Sequence, residues 1–568
     1  MGNGHWIGGL ALAATLGIAC GDDSLTGGAG GAGGSPAGGG GGSQPAGGAP
    51  EGGAPEGGGG AGPVEVELNW YACPYEPGQN GQCVKAQIPA DWDDPDGPKI
   101  TSFVKRIPAA VQPARGQLWI LQGGPGFSGT TIEFDVARFA EVVDDLDFYV
   151  PDHRGTGFST ELECPELEQL ALASGVIEIE PVAEAAADCA DDLVATHGET
   201  LPHFSATQAG RDLGELIERT RSPGQEVYLY GVSYGTRWLH RYLQQFPAQA
   251  TGLIFDSISA EQNDWMLFDV EINGIAEQFF DLCGQDAYCS SKLGADPWAF
   301  MAALMGKLEM DHCPTSLGLT KRDYKAFFAA FVVKGFYDRA LLPALAYRVD
   351  RCDATDQDVI ERLYDLLQPT EEDGEYFSGG LHFHVVNSER VSHPPPSVDE
   401  LIASAESLFV SSEQMPAYRA TYDPWPIYDA GPYLGTFAET STPILMMQSP
   451  LDAQTVIGPT AEFEAAYDGP NQTFVVVERS GHAVLSQAPM ADGSICGMVL
   501  AAQFLLDPTS ALDTSCKDEV LPIDFEQAGF NLGAGTLNVW DNAITLLPSN
   551  EPSALDRLRM NKSFEVPR

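Results

Sequence analysis

Apolar residues in this chain gather into short, nearly unbroken runs separated by glycine- and proline-rich breaks. Gln117–Leu121, Phe148–Val150, Val227–Tyr230, Gly252–Asp256, Pro443–Met447 and Thr473–Val477 are runs of this kind. A run that is apolar throughout, instead of at every second position, predicts a strand buried on both faces. Several such runs predict a parallel sheet covered by helices. Between Gly252–Asp256 and Pro443–Met447 the pattern changes to helical period, as in Ala276, Phe279, Phe280 and Cys283, in Phe300, Leu304 and Leu308, in Phe327 and Phe331, and in Val359, Leu363 and Leu366. The pattern therefore predicts an α/β protein: a mostly parallel sheet flanked by helices, with a helical insertion. Residues 64–260 form the first part of the core, 261–435 the insertion, and 436–568 the second part with a C-terminal tail. The aromatic stretch Tyr324–Phe336 reads as the core of the insertion.

The ends of these runs carry the candidate chemistry. Val227–Tyr230 passes into Gly231-Val232-Ser233-Tyr234-Gly235, and a helix-like segment, Trp238–Phe246, follows. Strand, G-x-S-x-G and helix in that order make a nucleophile elbow, a turn sharp enough to project the serine hydroxyl above the sheet. Gln117–Leu121 runs into Gln122-Gly123-Gly124-Pro125-Gly126. A glycine-rich loop there supplies one N–H of an oxyanion hole, assigned to Gly124; the other comes from Tyr234, the residue after the nucleophile. Asp452 follows Pro443–Met447, and His482 follows Thr473–Val477. The order Ser233, Asp452, His482 is that of α/β-hydrolases and not of chymotrypsin or subtilisin.

These segments also carry a family resemblance. Gly123–Gly129, Asp152-His153-Arg154-Gly155-Thr156-Gly157-Phe158-Ser159, Gly231–Thr236, Thr442–Asp452, and Gly481-His482 followed by Cys496 and Cys516 together resemble the tripeptidyl aminopeptidase and proline iminopeptidase family of serine peptidases. The secreted tripeptidyl aminopeptidase-like branch is most similar, over roughly residues 65 to 520. The resemblance implies an α/β-hydrolase fold with a helical cap inserted over the active site. It also implies a Ser233–His482–Asp452 acyl-enzyme mechanism without a cofactor, and substrates that are short peptides with free amino termini. Such a cap must recognise the substrate ammonium, most simply with buried carboxylates, and Glu271 and Glu277 near its start are the candidates. Asp152 and Arg154 read as loop scaffold. Gln122 stands where proline iminopeptidases usually carry His. Tyr422–Pro426 lacks the family's preceding Cys, and the region after Cys516, with Thr536–Trp540, runs past the resemblance. These departures bear on substrate preference. A carboxylesterase or lipase with the same triad, and a catalytically silent surface-binding lipoprotein, are the alternatives.

Composition places the protein outside the cytoplasm. Ile7–Ala19 is mostly apolar and too short to span a bilayer. It ends in Leu16-Gly17-Ile18-Ala19-Cys20, which resembles a bacterial lipobox, although Leu16 stands one position further from Cys20 than usual and no Lys or Arg precedes it. Residues 1–20 thus read as a signal peptide with Cys20 as the lipidation site, and plain secretion is the alternative. Residues 21–63 read as a Gly-rich disordered tether with nothing to bury, spanning about 30–35 Å. Of eleven cysteines, the ten after Cys20 fall in near pairs: 73 with 83, 164 with 189, 283 with 289, 313 with 352, and 496 with 516. An oxidising compartment favours these five disulfides, with exchange between the third and fourth pairs left open. His382-Phe383-His384 could set two imidazoles on one strand face, but no third ligand is in view and no metal is expected. The net charge is −50, from 80 acidic and 30 basic residues. That excludes nucleic acid as a partner and leaves membrane attachment to the lipid anchor alone.

Overall fold

The computed structural model describes residues 65–75, 79–171, 175–335, 339–365, 367, 376–526, 529–531, 535–540 and 544–546. Cys20 and the Gly-rich segment lie outside them, as does Phe336.

Nine strands form one sheet. They are β1 (Tyr71–Tyr75), β2 (Gln79–Pro89), β3 (Lys99–Ile107), β4 (Gly116–Leu121), β5 (Leu146–Pro151), β6 (Glu226–Val232), β7 (Gly252–Asp256), β8 (Ile444–Gln448) and β9 (Gln472–Val476). The sheet order is β1-β2-β3-β5-β4-β6-β7-β8-β9. The first three strands are antiparallel, β3 pairs antiparallel with β5, and everything from β5 to β9 is parallel. Strands β4, β5, β7 and β8 are buried at every residue, as their unbroken apolar runs require. The terminal strand β9 is only partly covered.

Side chains alternate across the sheet, so each face has its own helices. Leu118, Ile120, Tyr228, Tyr230, Ile254 and Leu445 meet Val136 and Phe139 of helix Glu133–Val142 and Leu500 and Phe504 of helix Cys496–Leu506. Helices Ala206–Thr220 and Tyr234–Gln245 lie together elsewhere; a Cβ on Gly210 would stand 2.7 Å from the Arg241 carbonyl carbon. This is the α/β-hydrolase fold with an inserted helical cap.

The insertion between β7 and β8 is helical where its period predicted. Phe268–Gln285, Pro297–Leu308, Lys321–Val332 and Ala354–Asp365 contain the periodic residues, apart from Leu366, which lies outside the described residues. Local sequence starts them: Asp296 caps Pro297–Leu308, and Thr320 with Asp323 forms a capping box before Lys321–Val332. Tyr324, Phe327, Phe328 and Phe331 are buried as the insertion's core. One expectation needs correction. His382 and His384 lie on helix Gly379–Glu389, not on a strand. One nitrogen of each ring meets a backbone carbonyl, His382 Nδ1 that of Pro125 at 2.9 Å and His384 Nε2 that of Leu201 at 3.0 Å, and His384 Nδ1 accepts from Trp425 Nε1 at 3.2 Å. Among the described residues no group of His, Cys, Asp or Glu could hold a metal ion.

All five disulfides pair as sequential neighbours, so the exchange between the third and fourth pairs does not occur. Two contacts were not legible in the sequence. Between β5 and β6, Ile177 and Val182, the latter on helix Ile179–His197, pack with Ala417 of the insertion. The tail returns to the insertion as well. Its strands β10 (Gly529–Asn531), β11 (Gly535–Asn538) and β12 (Ile544–Leu546) form a small antiparallel sheet. Beyond β11, buried Trp540 packs against Tyr288 and Tyr347, and the Val539 carbonyl accepts from Arg348. No described helix is long and apolar enough to cross a membrane.

Candidate active site

Ser233 sits between β6 and helix Tyr234–Gln245 with φ 58° and ψ −131°. That conformation is strained for a residue with a Cβ, by roughly 1–3 kcal/mol, so its surroundings must impose it. They do so through three hydrogen bonds. The Ser233 N–H donates to the Asp256 carbonyl (3.0 Å), while its own carbonyl accepts from the Thr236 N–H (2.9 Å) and hydroxyl (2.6 Å). The motif's glycines are needed for close approach. A Cβ on Gly235 would lie 2.3 Å from the Leu121 carbonyl oxygen, and one on Gly123 would lie 2.8 Å from Ser233 Cβ. The Gly-rich loop is thus pressed directly against the nucleophile.

That loop is held from three sides. Gln122 turns inward: its Oε1 accepts from the Gly123 N–H (2.7 Å) and its Nε2 donates to Thr131 Oγ1 (2.7 Å). The Gly123 amide is thus occupied. Asp152 accepts from Ser128 Oγ and from the Gly129 and Phe158 N–H groups, each at 2.7 Å. Burial pushes its carboxyl up to about 6 against those bonds. Arg154 is buried and donates twice to Asp212 (2.7 and 2.8 Å) and to the Ala90 and His203 carbonyls. Both residues act as scaffold. The insertion makes the third hold: Ser378 N–H donates to Gly126 O, and Ser128 N–H to Tyr376 O, each at 2.9 Å.

Asp452 and His482 follow β8 and β9. His482 Nδ1 lies 3.0 Å from both carboxylate oxygens of fully buried Asp452. Asp452 also accepts from the Gln454 and Thr455 N–H groups (2.9 and 3.0 Å) and from the Thr455 hydroxyl (2.9 Å). Burial alone would raise this carboxyl. The adjacent imidazole and the donors outweigh burial and hold it below its ordinary value. The Ser480 carbonyl, two residues before His482, accepts from Ser449 Oγ (2.9 Å) and from Arg339 (3.3 Å) of the insertion.

The two cap carboxylates part company, although one helix, Phe268–Gln285, carries both. Glu277 is exposed on that helix. Glu271 is half-buried beside Asn263 and Arg390, within the field of Asp452. Burial raises its carboxyl to about 7, with Asp264 and Asp452 adding to the rise and Arg390 and Asn263 opposing it.

Sequence reasoning missed Thr455, Arg339, Asp256 and the buried ions around the elbow helix. Asp256 offered one signal, a carboxylate closing a fully apolar run beside the nucleophile strand. Arg339 offered none, because its contact with the Ser480 carbonyl spans 141 residues.

A family model described as alpha/beta hydrolase fold matches residues 118–304, which contain the Gly-rich loop and the elbow. The chain is 28% identical over 239 residues to the serine protease Hip1 of Mycobacterium tuberculosis, covering 38% of this chain and 43% of that protein. Hip1 of Mycobacterium bovis matches to the same extent. The chain thus spans less than half the length of these relatives. Among solved structures, the esterase EaEST of Exiguobacterium antarcticum is similar at 12% identity and TM-score 0.27, over 68% of this chain and 91% of that one. A bromoperoxidase from Bacillus anthracis is similar at 13% identity and TM-score 0.28, over 71% and 94%.

Proposed function

We propose that this α/β-hydrolase-fold chain is an exported serine exopeptidase that removes short peptides or residues from free amino termini. The observation carrying the hydrolase part is the strained Ser233 on its elbow, with the His482–Asp452 pair following strands of the same parallel sheet. Ser233 Oγ attacks the scissile carbonyl, and His482 takes its proton through Nε2. Asp452 fixes the tautomer with the proton on Nδ1 and stabilises the imidazolium. The Tyr234 and Gly124 N–H groups receive the oxyanion. His482 then delivers its proton to the leaving amine, and water repeats the sequence on the acyl-enzyme. No cofactor enters these steps. The similarity to Hip1 supports a peptidase over a general esterase. The five disulfides support export, with Cys20 as the lipid anchor.

Glu271 carries the amine-recognition part of the reading. It is a carboxylate on the insertion, close enough to Asp452 to feel its charge. Only its ionised form pairs with a substrate ammonium. With the carboxyl at about 7, it is protonated below that pH and ionised above it. The KM for a free-amine substrate is therefore expected to rise as pH falls through 7, by about tenfold per unit, and Glu271→Gln is expected to abolish that limb. Steady-state kinetics between pH 5 and 8 would check it. A limb unchanged in Glu271→Gln would remove Glu271 from the site.

The substrate class is tested with a tripeptidyl chromogenic amide, its N-acetylated twin, a single-residue proline amide and a butyrate ester. Cleavage of the free amine, lost on acetylation, is expected. Ester cleavage alone, indifferent to acetylation, would replace the peptidase by an esterase.

A further inference from the structure

Asp256 is a fully buried carboxylate at the end of β7 that the hydrolytic steps above do not use. Its hydrogen bonds tie together the two ends of the reaction. Its backbone carbonyl accepts the Ser233 N–H (3.0 Å), and in the sheet it lies opposite Val232. Its side chain reaches the other way. Oδ1 accepts from the Val484 N–H (2.8 Å), and Oδ2 accepts from the Leu485 N–H (2.9 Å) and from the Tyr230 hydroxyl (2.9 Å). The next residue continues the pattern, because Ser257 Oγ accepts from the Ala483 N–H (2.7 Å). All three amides that follow His482 are thus claimed by two consecutive side chains.

The backbone on both sides of that contact is unusual. Ser257 has φ 56° and Ala483 has φ 65°, and neither is glycine. Positive φ in such residues persists only where neighbours over-determine it. Here the two strained residues are joined by one hydrogen bond, and Ala483 directly follows the imidazole. An ordinary chain turn could end β9 without any of this.

We propose that Asp256 and Ser257 are positioning residues that set His482 against Ser233. One residue, Asp256, grips the nucleophile through its backbone and the loop of the general base through its carboxylate. The distance between the two reacting groups is then fixed by a single strand end, and it does not depend on where β9, at the edge of the sheet, happens to lie. This rests on the reading of Ser233 and His482 as nucleophile and base.

The test compares the unmodified protein with Asp256→Asn and Ser257→Ala. Each is measured for kcat, KM and the rate of labelling by a fluorophosphonate probe, with circular dichroism and melting to check the fold. In Asp256→Asn one oxygen becomes an N–H donor facing an amide donor, so one grip is lost. A displacement of the base by about 1 Å costs on the order of 100-fold. The expected result is kcat and labelling rate both lowered by roughly 30- to 100-fold, with KM within about twofold. Ser257→Ala, which removes one hydroxyl, is expected to lower both by about three- to tenfold; it keeps the test alive if Asp256→Asn does not fold. A merely structural role would lower the melting temperature and leave kcat per folded molecule unchanged. Labelling of the unmodified protein with both variants labelled equally fast would overturn this proposal alone. No labelling of the unmodified protein would overturn the triad reading, and this proposal with it.

Discussion

Ser233→Ala is expected to lower kcat by about 10⁴- to 10⁶-fold while leaving KM and the fold unchanged, the largest effect of any single substitution in this protein. The hydroxyl is the only group lost. The strained turn is held by backbone bonds from Ser233 to Asp256 and Thr236, and an alanine keeps them. What remains is stabilisation of the oxyanion and substrate binding, which sustain a small residual rate. Asp452→Asn makes the complementary case. Asn Oδ1 would accept from the Thr455 and Gln454 amides, which would turn its NH₂ toward the imidazole. His482 would then be forced into the wrong tautomer, with its lone pair on Nδ1. A loss of about 10⁴-fold follows, without a comparable change in KM. Kinetics on the tripeptidyl amide and fluorophosphonate labelling check both. A Ser233→Ala protein that kept a tenth of the activity would remove this serine from the mechanism.

Stability should respond most to the ions behind the elbow. Arg237 and Arg241, one turn apart on helix Tyr234–Gln245, are fully buried around Glu261, which takes a two-pronged bond from Arg241 (2.7 and 3.0 Å) and one with His240 Nδ1 (2.9 Å). Arg237 also lies 3.5 Å from Glu389 and donates to its carbonyl (3.0 Å), so the cluster ties the insertion to the elbow helix. Burial alone would raise the Glu261 carboxyl. The two guanidinium groups, with the bonds from His240 and Arg241, hold it far below its ordinary range instead. Glu261→Ala leaves two buried cations short of their shared partner. The expected loss is about 3–5 kcal/mol in urea unfolding. Glu400→Ala, which removes one side-chain bond at the exposed capping box of helix Val398–Ser407, is expected to lose far less. Equal losses in the two variants would mean that the cluster contributes no more than a surface cap.

Much of this protein could be read from local pattern, because the chemistry demands local pattern. A strand buried on both faces must be apolar throughout, so β4 to β8 announced themselves. A nucleophile elbow leaves no room for a Cβ at Gly235, so its glycines are visible in any sequence that builds one. Cap helices need a period and a start, which Thr320, Asp323, Ser397 and Glu400 supply. Near cysteine pairs close short loops, and each did. The His382-Phe383-His384 reading failed where a short apolar run fits either period. The tertiary structure then decided everything that depends on residues far apart in sequence. It separated Glu271 from Glu277 by burying one face of their shared helix. It brought Asp256 to Val484 and Leu485, 228 and 229 residues away. It assembled Arg237, Arg241, Glu261 and Glu389 into one buried cluster, and it returned Trp540 to the insertion. The last three have no local signature, because a contact constrains two groups in space and leaves the sequence between them free.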